Sequence, residues 1–156
     1  MKIPDFVFTK PPKGEEQLKK VYGIPWQDNS HWYATNMTRL ILPSPFALLW
    51  KTNFVMVHRE VSFPLDVVLK AIEEAALCER IKEYNGIYNL RKIRGGERYS
   101  IHSFGAAIDL NASQDPLGDT KIDMDPQVVE IFESVGWSWG GRWKRPDAMH
   151  YQWGGY

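Results

Sequence analysis

The sequence predicts an α+β fold, a small and mainly antiparallel sheet flanked by helices. Two observations lead there. Segments with strand periodicity and segments with helical periodicity come in separate groups rather than in strict alternation, so a doubly wound parallel sheet is not expected. The C-terminal stretch 137–156, WSWGGRWKRPDAMHYQWGGY, is too rich in glycine for a helix and reads as strand, loop and strand. With 156 residues, 44% of them hydrophobic and 24% charged, the chain has the size and composition of one globular domain spanning 1–156.

In chain order, residues 1–30 carry Pro4, Pro11, Pro12 and Pro25 around a short helical stretch at Glu15–Tyr22, and read as an N-terminal segment wrapping the domain. Thr52–Val61 alternates Phe54, Met56 and His58 with Val55, Val57 and Arg59, which is a strand pattern. Pro64 is expected to open a helix, at the one turn where its missing N–H costs nothing. That helix should run to about Tyr84 on a stripe of Leu65, Val68, Leu69, Ile72, Ala75 and Ala76. After Gly86, Ile87–Arg91 is a candidate strand, followed by the basic, glycine-containing turn Arg91–Glu97 and a second strand at Ala106–Leu110. Asp125 and Pro126 read as the cap and first residue of another helix, with Val128, Ile131, Phe132 and Val135 on one face and Gly136 as its left-handed terminator.

Composition excludes several functions. Nineteen basic and nineteen acidic residues leave no positive field for a polyanion, so nucleic acid is not an expected partner. The single cysteine, Cys78, can form neither an internal disulfide nor a cysteine zinc cluster and reads as a small core residue. Any metal must therefore be held by His, Asp or Glu. The longest uncharged apolar stretch, Leu40–Trp50, is broken by Pro43 and Pro45, and no apolar run follows the N-terminal lysine. Neither stable membrane insertion nor a signal peptide is expected, and the protein is expected to be synthesised in the cytoplasm, as a monomer. Seven tryptophans point to a core or a groove wall; of Trp137, Trp139 and Trp143, at least one should be core and another should wall a cleft.

Two of the four histidines stand in company that suggests chemistry. His102 precedes Asp109 by seven residues, an odd separation that on one unbroken strand would send them to opposite faces. Gly105 is the residue able to turn the chain between them, and small Ala107 beside Asp109 leaves room for an ion. Asp147 and His150, three residues apart in a tight turn, converge on one point. With His102, Asp109 and His150 as ligands, a tetrahedral Zn2+ keeps its fourth position for water, and Asp147 remains a free carboxylate to accept a proton. A plain hydrogen-bonded His–Asp pair fits the same spacing. His31, in the polar run DNSHWY, reads as a loop residue and His58 as a half-buried strand residue.

Ser100-x-His102-x-x-Gly105-x-Ala107-x-Asp109 resembles the S-x-H-x-x-G-x-A-x-D signature of the VanY-type zinc peptidases, the D-alanyl-D-alanine carboxypeptidases and L-alanyl-D-glutamate endopeptidases that include many phage endolysins. Asp147-Ala-Met-His150-Tyr151 is similar to the family's second block, and Gly136–Trp143 to its GWxWGGxW stretch, so the resemblance runs from about Tyr88 to Trp153. It implies a zinc site in a cleft at the sheet edge, with His102, Asp109 and His150 as ligands. Asp147 would be the general base, where many relatives carry the longer Glu. Arg91 would face the substrate carbonyl, with Arg94 in reserve, Arg98 as a third candidate and Ser100 adding a hydroxyl donor. The implied partner is the peptidoglycan stem peptide, whose free carboxylates suit a guanidinium. The enzyme would then act on the bacterial cell wall after release from the cell, or after losing a leader. Two rivals remain: a non-catalytic, zinc-stabilised wall-binding module, disfavoured by the unligated Asp147, and a nuclease, disfavoured by the neutral charge.

Overall fold

A computed structural model of the chain describes residues 9–156, so the expectation for residues 1–8, Pro4 included, lies outside the described residues. Its helices are α1 (Glu15–Tyr22), α2 (Asn29–Asn36), α3 (Ser44–Trp50), α4 (Arg59–Glu74) and α5 (Pro126–Val135). Its strands are β1 (Met37–Ile41), β2 (Phe54–His58), β3 (Tyr84–Gly86), β4 (Ala107–Leu110), β5 (Ser138–Trp139) and β6 (His150–Gln152). The fold is α+β. β1 and β2 pair antiparallel, and a second antiparallel sheet has the order β3-β4-β6-β5.

Local chemistry explains most boundaries. α5 begins and ends as expected: the Asp125 carboxylate accepts from the Gln127 N–H at 2.8 Å, and Gly136 closes the helix at φ 117°. α1 lies where the N-terminal helical stretch was expected, and the buried Tyr22 at its end donates from its hydroxyl to the Trp153 carbonyl at 2.6 Å. The two ends of the described chain also meet through the Gly14 N–H and the Gly155 carbonyl, 2.8 Å apart.

Other elements differ from the sequence reading. α4 starts at Arg59, so Pro64 lies inside it rather than at its opening. The opening role belongs to His58, whose Nδ1 accepts from the Glu60 N–H at 3.2 Å. The same helix ends at Glu74, short of Tyr84, because Ala76 adopts φ 58° and a 3-10 turn follows at Cys78–Arg80; Ala75 and Ala76 are exposed rather than part of the core stripe. The third strand is Tyr84–Gly86, not Ile87–Arg91. His31 lies in α2, capped by Asp28, rather than in a loop.

The core gathers between α4, α5 and the two sheets. Val57, Leu65, Leu69 and Ile72 of the first layer and Ile108, Phe132, Tyr151 and Trp153 of the second are each at most 1% exposed, and Phe132 stacks on Tyr151 at 4.0 Å between centroids. Since Ile108 and Tyr151 face this core, the strand period of two turns their neighbours Asp109 and His150 to the opposite face. Among the described residues no helix is long and apolar enough to cross a membrane.

His58 gives the fold a pH dependence. It is 1% exposed, packed against the rings of Tyr22 and Trp32, and burial, aided by the charge of Arg59 and partly offset by a Tyr22 backbone hydrogen bond, lowers its pKa from 6.5 to about 4. Between those values the unfolded chain binds a proton that the folded chain does not, so stability falls as pH drops, by about 3 kcal/mol once pH 4 is reached. His58→Asn, which keeps a capping oxygen, is expected to flatten the fall in melting temperature between pH 7 and 4.5. An unchanged slope would assign that acid sensitivity to other groups.

Candidate metal centre

Three local devices bring the site together. The 3-10 turn Ile101–Phe104 is capped by Ser100, whose Oγ accepts from the His102 N–H at 3.3 Å. Gly105 ends it at φ 64°, and a side chain there would place its Cβ 2.6 Å from the Met37 sulfur, so glycine is required both by conformation and by space. β4 then presents Asp109 directly opposite His150, the first residue of β6. Gly140 lets the loop that carries Asp147 fold close, because a Cβ there would lie 2.5 Å from the Asp147 carbonyl oxygen and 3.3 Å from the His150 Cβ. Asp109 and His150 therefore sit on the two inner strands of the sheet, not at its edge as expected. The register of the last strand, inserted between β4 and β5, sets this.

His102 Nε2, Asp109 Oδ1 and His150 Nδ1 form a nearly equilateral triangle. The two nitrogens are 3.1 Å apart, and the oxygen lies 3.1 Å from His102 and 3.0 Å from His150. The far side of each imidazole is already committed. His102 Nδ1 lies 2.7 Å from the Ile87 carbonyl, which can only accept, so that nitrogen carries the ring proton. His150 Nε2 lies 2.9 Å from Gln152 Oε1, and the Gln152 amide is oriented by donating to the Gly154 carbonyl at 2.8 Å. In the neutral rings, two bare nitrogen lone pairs and a carboxylate oxygen thus face one another. Such an arrangement needs a positive centre between its members. Donors about 2.0–2.1 Å from a tetrahedral zinc lie roughly 3.3 Å apart, close to the separations found. Protons on the facing nitrogens are the other way to supply that charge: with the rings protonated, burial opposes ionisation of Asp109, but the hydrogen bonds and charges of His102 and His150 outweigh it and hold the carboxyl well below the ordinary range.

Asp147 stands beside this triangle without joining it. Its Oδ1 is buried and has no hydrogen-bond partner among the described residues. Burial raises its pKa, Asp109 adds to the rise, and His150, His102 and Arg91 act against it. The charge of Arg91 acts on Asp147. Arg94 is exposed in the turn, and Arg98 lies over the Tyr156 ring, 5.0 Å from its centroid. Ser100, expected to offer a hydroxyl to substrate, is 6% exposed and serves as the cap just described. Trp137 is core, whereas Trp143 is 42% exposed with its ring centroid 5.3 Å from that of His150, an apolar wall at the site. Trp139 binds the loop itself, donating from Nε1 to the Ala148 carbonyl at 2.8 Å.

Sequence reasoning missed Gln152 and the Ile87 carbonyl. Gln152 follows His150 by two residues on one strand and so shares its face, a signal available from period alone. The backbone carbonyl of Ile87 leaves no mark in a sequence.

The pattern of the D-alanyl-D-alanine carboxypeptidase family matches residues 94–153, the stretch that holds His102, Asp109, Asp147 and His150. Residues 94–153 are similar to the VanY-type peptidases. The match starts at Arg94, so Arg91 lies outside the matched residues, although the sequence resemblance begins at about Tyr88. Among curated proteins, the chain is similar to the peptidoglycan L-alanyl-D-glutamate endopeptidase CwlK of Bacillus subtilis (strain 168), 41% identical over 63 residues, which is 33% of this chain and 36% of that relative. The chain thus aligns with little more than a third of the length of that relative. No solved structure matches.

Proposed function

We propose that the chain is a zinc-dependent peptidase that hydrolyses peptidoglycan stem peptides, as a D-Ala-D-Ala carboxypeptidase or an L-Ala-D-Glu endopeptidase. His102, Asp109 and His150 hold the metal in this reading. The observation that carries it is the triangle of two imidazole nitrogens and one carboxylate oxygen, with the unpaired Asp147 carboxylate oxygen next to it. The likeness to the VanY-type peptidases and to CwlK supports the substrate class. Zinc held there would act as a Lewis acid and bring the pKa of water toward about 7.

The chain's own groups supply the remaining steps. Asp147 Oδ1 takes the proton of the attacking water and passes it to the leaving amine nitrogen as the peptide C–N bond breaks, which gives a free carboxylate and a free amine. The buried, partnerless state of that oxygen suits a base that must hold a proton only briefly. Arg91 balances the negative charge that develops on the carbonyl oxygen, or pairs with a substrate carboxylate, and Arg94 extends the same positive edge. Trp143 excludes water from one side of the site. Its place of work in this reading is the bacterial cell wall, with no nucleic acid and no membrane span involved.

Incubation of the zinc-loaded protein with purified peptidoglycan, followed by mass analysis of the released fragments, tests the reading. Loss of one D-Ala identifies the carboxypeptidase, and separation of L-Ala from D-Glu the endopeptidase. Dialysis against a chelator should abolish release and added zinc should restore it. Intact peptidoglycan after prolonged incubation with zinc-loaded protein would overturn the enzymatic reading in favour of a wall-binding module.

A further inference from the structure

We infer that Ser103 is a positioning residue that sets Arg91 against the site by holding its backbone. This rests on the reading of Arg91 as the cation facing the substrate. Residues 89–91 belong to no helix or strand, and the Arg91 side chain is exposed, so little about the arginine itself fixes its place. What fixes it is the turn that carries His102. The Asn89 N–H donates to the His102 carbonyl at 3.1 Å, and the Ser100 N–H donates to the Arg91 carbonyl at 2.9 Å. Between these two bonds the Arg91 N–H is met by a side chain: Ser103 Oγ accepts from it at 3.0 Å.

The same hydroxyl donates back to that segment. Its oxygen lies 2.9 Å from the Arg91 carbonyl and 3.2 Å from the Asn89 carbonyl, and its single proton serves one of them at a time. Ser103 is wholly buried, 0% exposed, so no water stands ready to replace it. A single short turn therefore carries a candidate metal ligand on one residue and, through the next residue, fixes the backbone of the arginine. Moving Arg91 by the amount a lost hydrogen bond allows leaves His102 where it is, held by Ile87 and by Ser100. Ser103 occupies a position that the S-x-H-x-x-G pattern leaves open, so no part of the metal site calls for a hydroxyl there.

The test is a double-mutant cycle on Ser103→Ala and Arg91→Ala, using a soluble stem pentapeptide that contains both the L-Ala-γ-D-Glu and the D-Ala-D-Ala bonds. Ser103→Ala is expected to keep its zinc content and to lower kcat/KM about fivefold, mainly through kcat, while in the Arg91→Ala background it changes kcat/KM by less than about twofold. Amide exchange gives a readout independent of turnover: the Arg91 N–H should exchange at least about tenfold faster in Ser103→Ala than in the wild type. Ser103→Cys, which keeps the volume and a weak acceptor, should fall between them in both measurements. An equal loss in both backgrounds, or an unchanged exchange rate at Arg91, would overturn the role of Ser103. Full activity of Arg91→Ala alone would instead refute the reading of Arg91, and the inference with it.

Discussion

Asp147→Asn is expected to retain zinc and fold but to lose peptidase activity by at least about a hundredfold, the contribution of a positioned general base. The substitution is nearly isosteric and leaves the loop intact, because that loop is held by backbone: the Asp147 N–H donates to the Gly140 carbonyl and the Asp147 carbonyl accepts from the His150 N–H, both at 3.0 Å. The side chain itself is under strain of another kind. Burial and the nearby Asp109 both disfavour its ionised form, and its Oδ1 has no partner. A neutral amide removes that electrostatic cost, so the melting temperature should stay the same or rise while turnover collapses. Opposite movement of stability and activity is the mark of a group kept for chemistry. Melting temperature, zinc content and the rate of stem-peptide cleavage measured on one preparation decide the matter. A variant that loses zinc or unfolds would make Asp147 a structural or metal-binding group, and one that keeps wild-type turnover would remove it from the mechanism.

How far the sequence reached depended on whether each feature was local. α5 was legible end to end because its signals are adjacent in the chain: Asp125 as cap, Pro126 in the first turn and Gly136 in the left-handed terminator. The turn at Gly105 was legible for the same reason, since an odd spacing between His102 and Asp109 demanded a break and one glycine stood between them. α4 was misplaced at both ends by residues acting outside their usual roles. His58 caps its start through an imidazole nitrogen rather than an Asp or Ser oxygen, and Ala76, an ordinary helix former, adopts the left-handed conformation at its end. α2 buries only Trp32, so it has no apolar stripe to read. At the site, spacing suggested the pairs His102–Asp109 and Asp147–His150 and the motif resemblance joined them into one set, while the register that pairs Asp109 with His150 on inner strands was not legible. That register is a consequence of tertiary pairing, in strands of four and three residues too short to show a period.

His102→Ala and His150→Ala are each expected to abolish tight zinc binding and peptidase activity together, with His31→Ala affecting neither. A three-ligand site has no spare donor, and among the described residues these three form the one cluster able to hold an ion. The groups behind the imidazoles should give a graded effect. Gln152→Ala frees the His150 Nε2 proton from its acceptor and so relaxes the choice of tautomer that leaves Nδ1 bare; losses of about 10- to 100-fold in metal affinity are usual for such partners, and each ligand histidine should cost more than that. Asp109→Asn removes the single anionic donor, and should weaken zinc binding by a mechanism distinct from Asp147→Asn, which leaves it unchanged. Zinc titration with a competing chelator orders the variants: wild type and His31→Ala tightest, then Gln152→Ala, then Asp109→Asn, with His102→Ala and His150→Ala weakest. His102 also anchors the Ile87 carbonyl, so His102→Ala should lose more thermal stability than His150→Ala when both are compared without metal. Wild-type zinc affinity in either histidine variant would place the ion elsewhere in the chain. Weakening by Asp147→Asn alongside an unaffected Asp109→Asn would exchange the roles of the two acids.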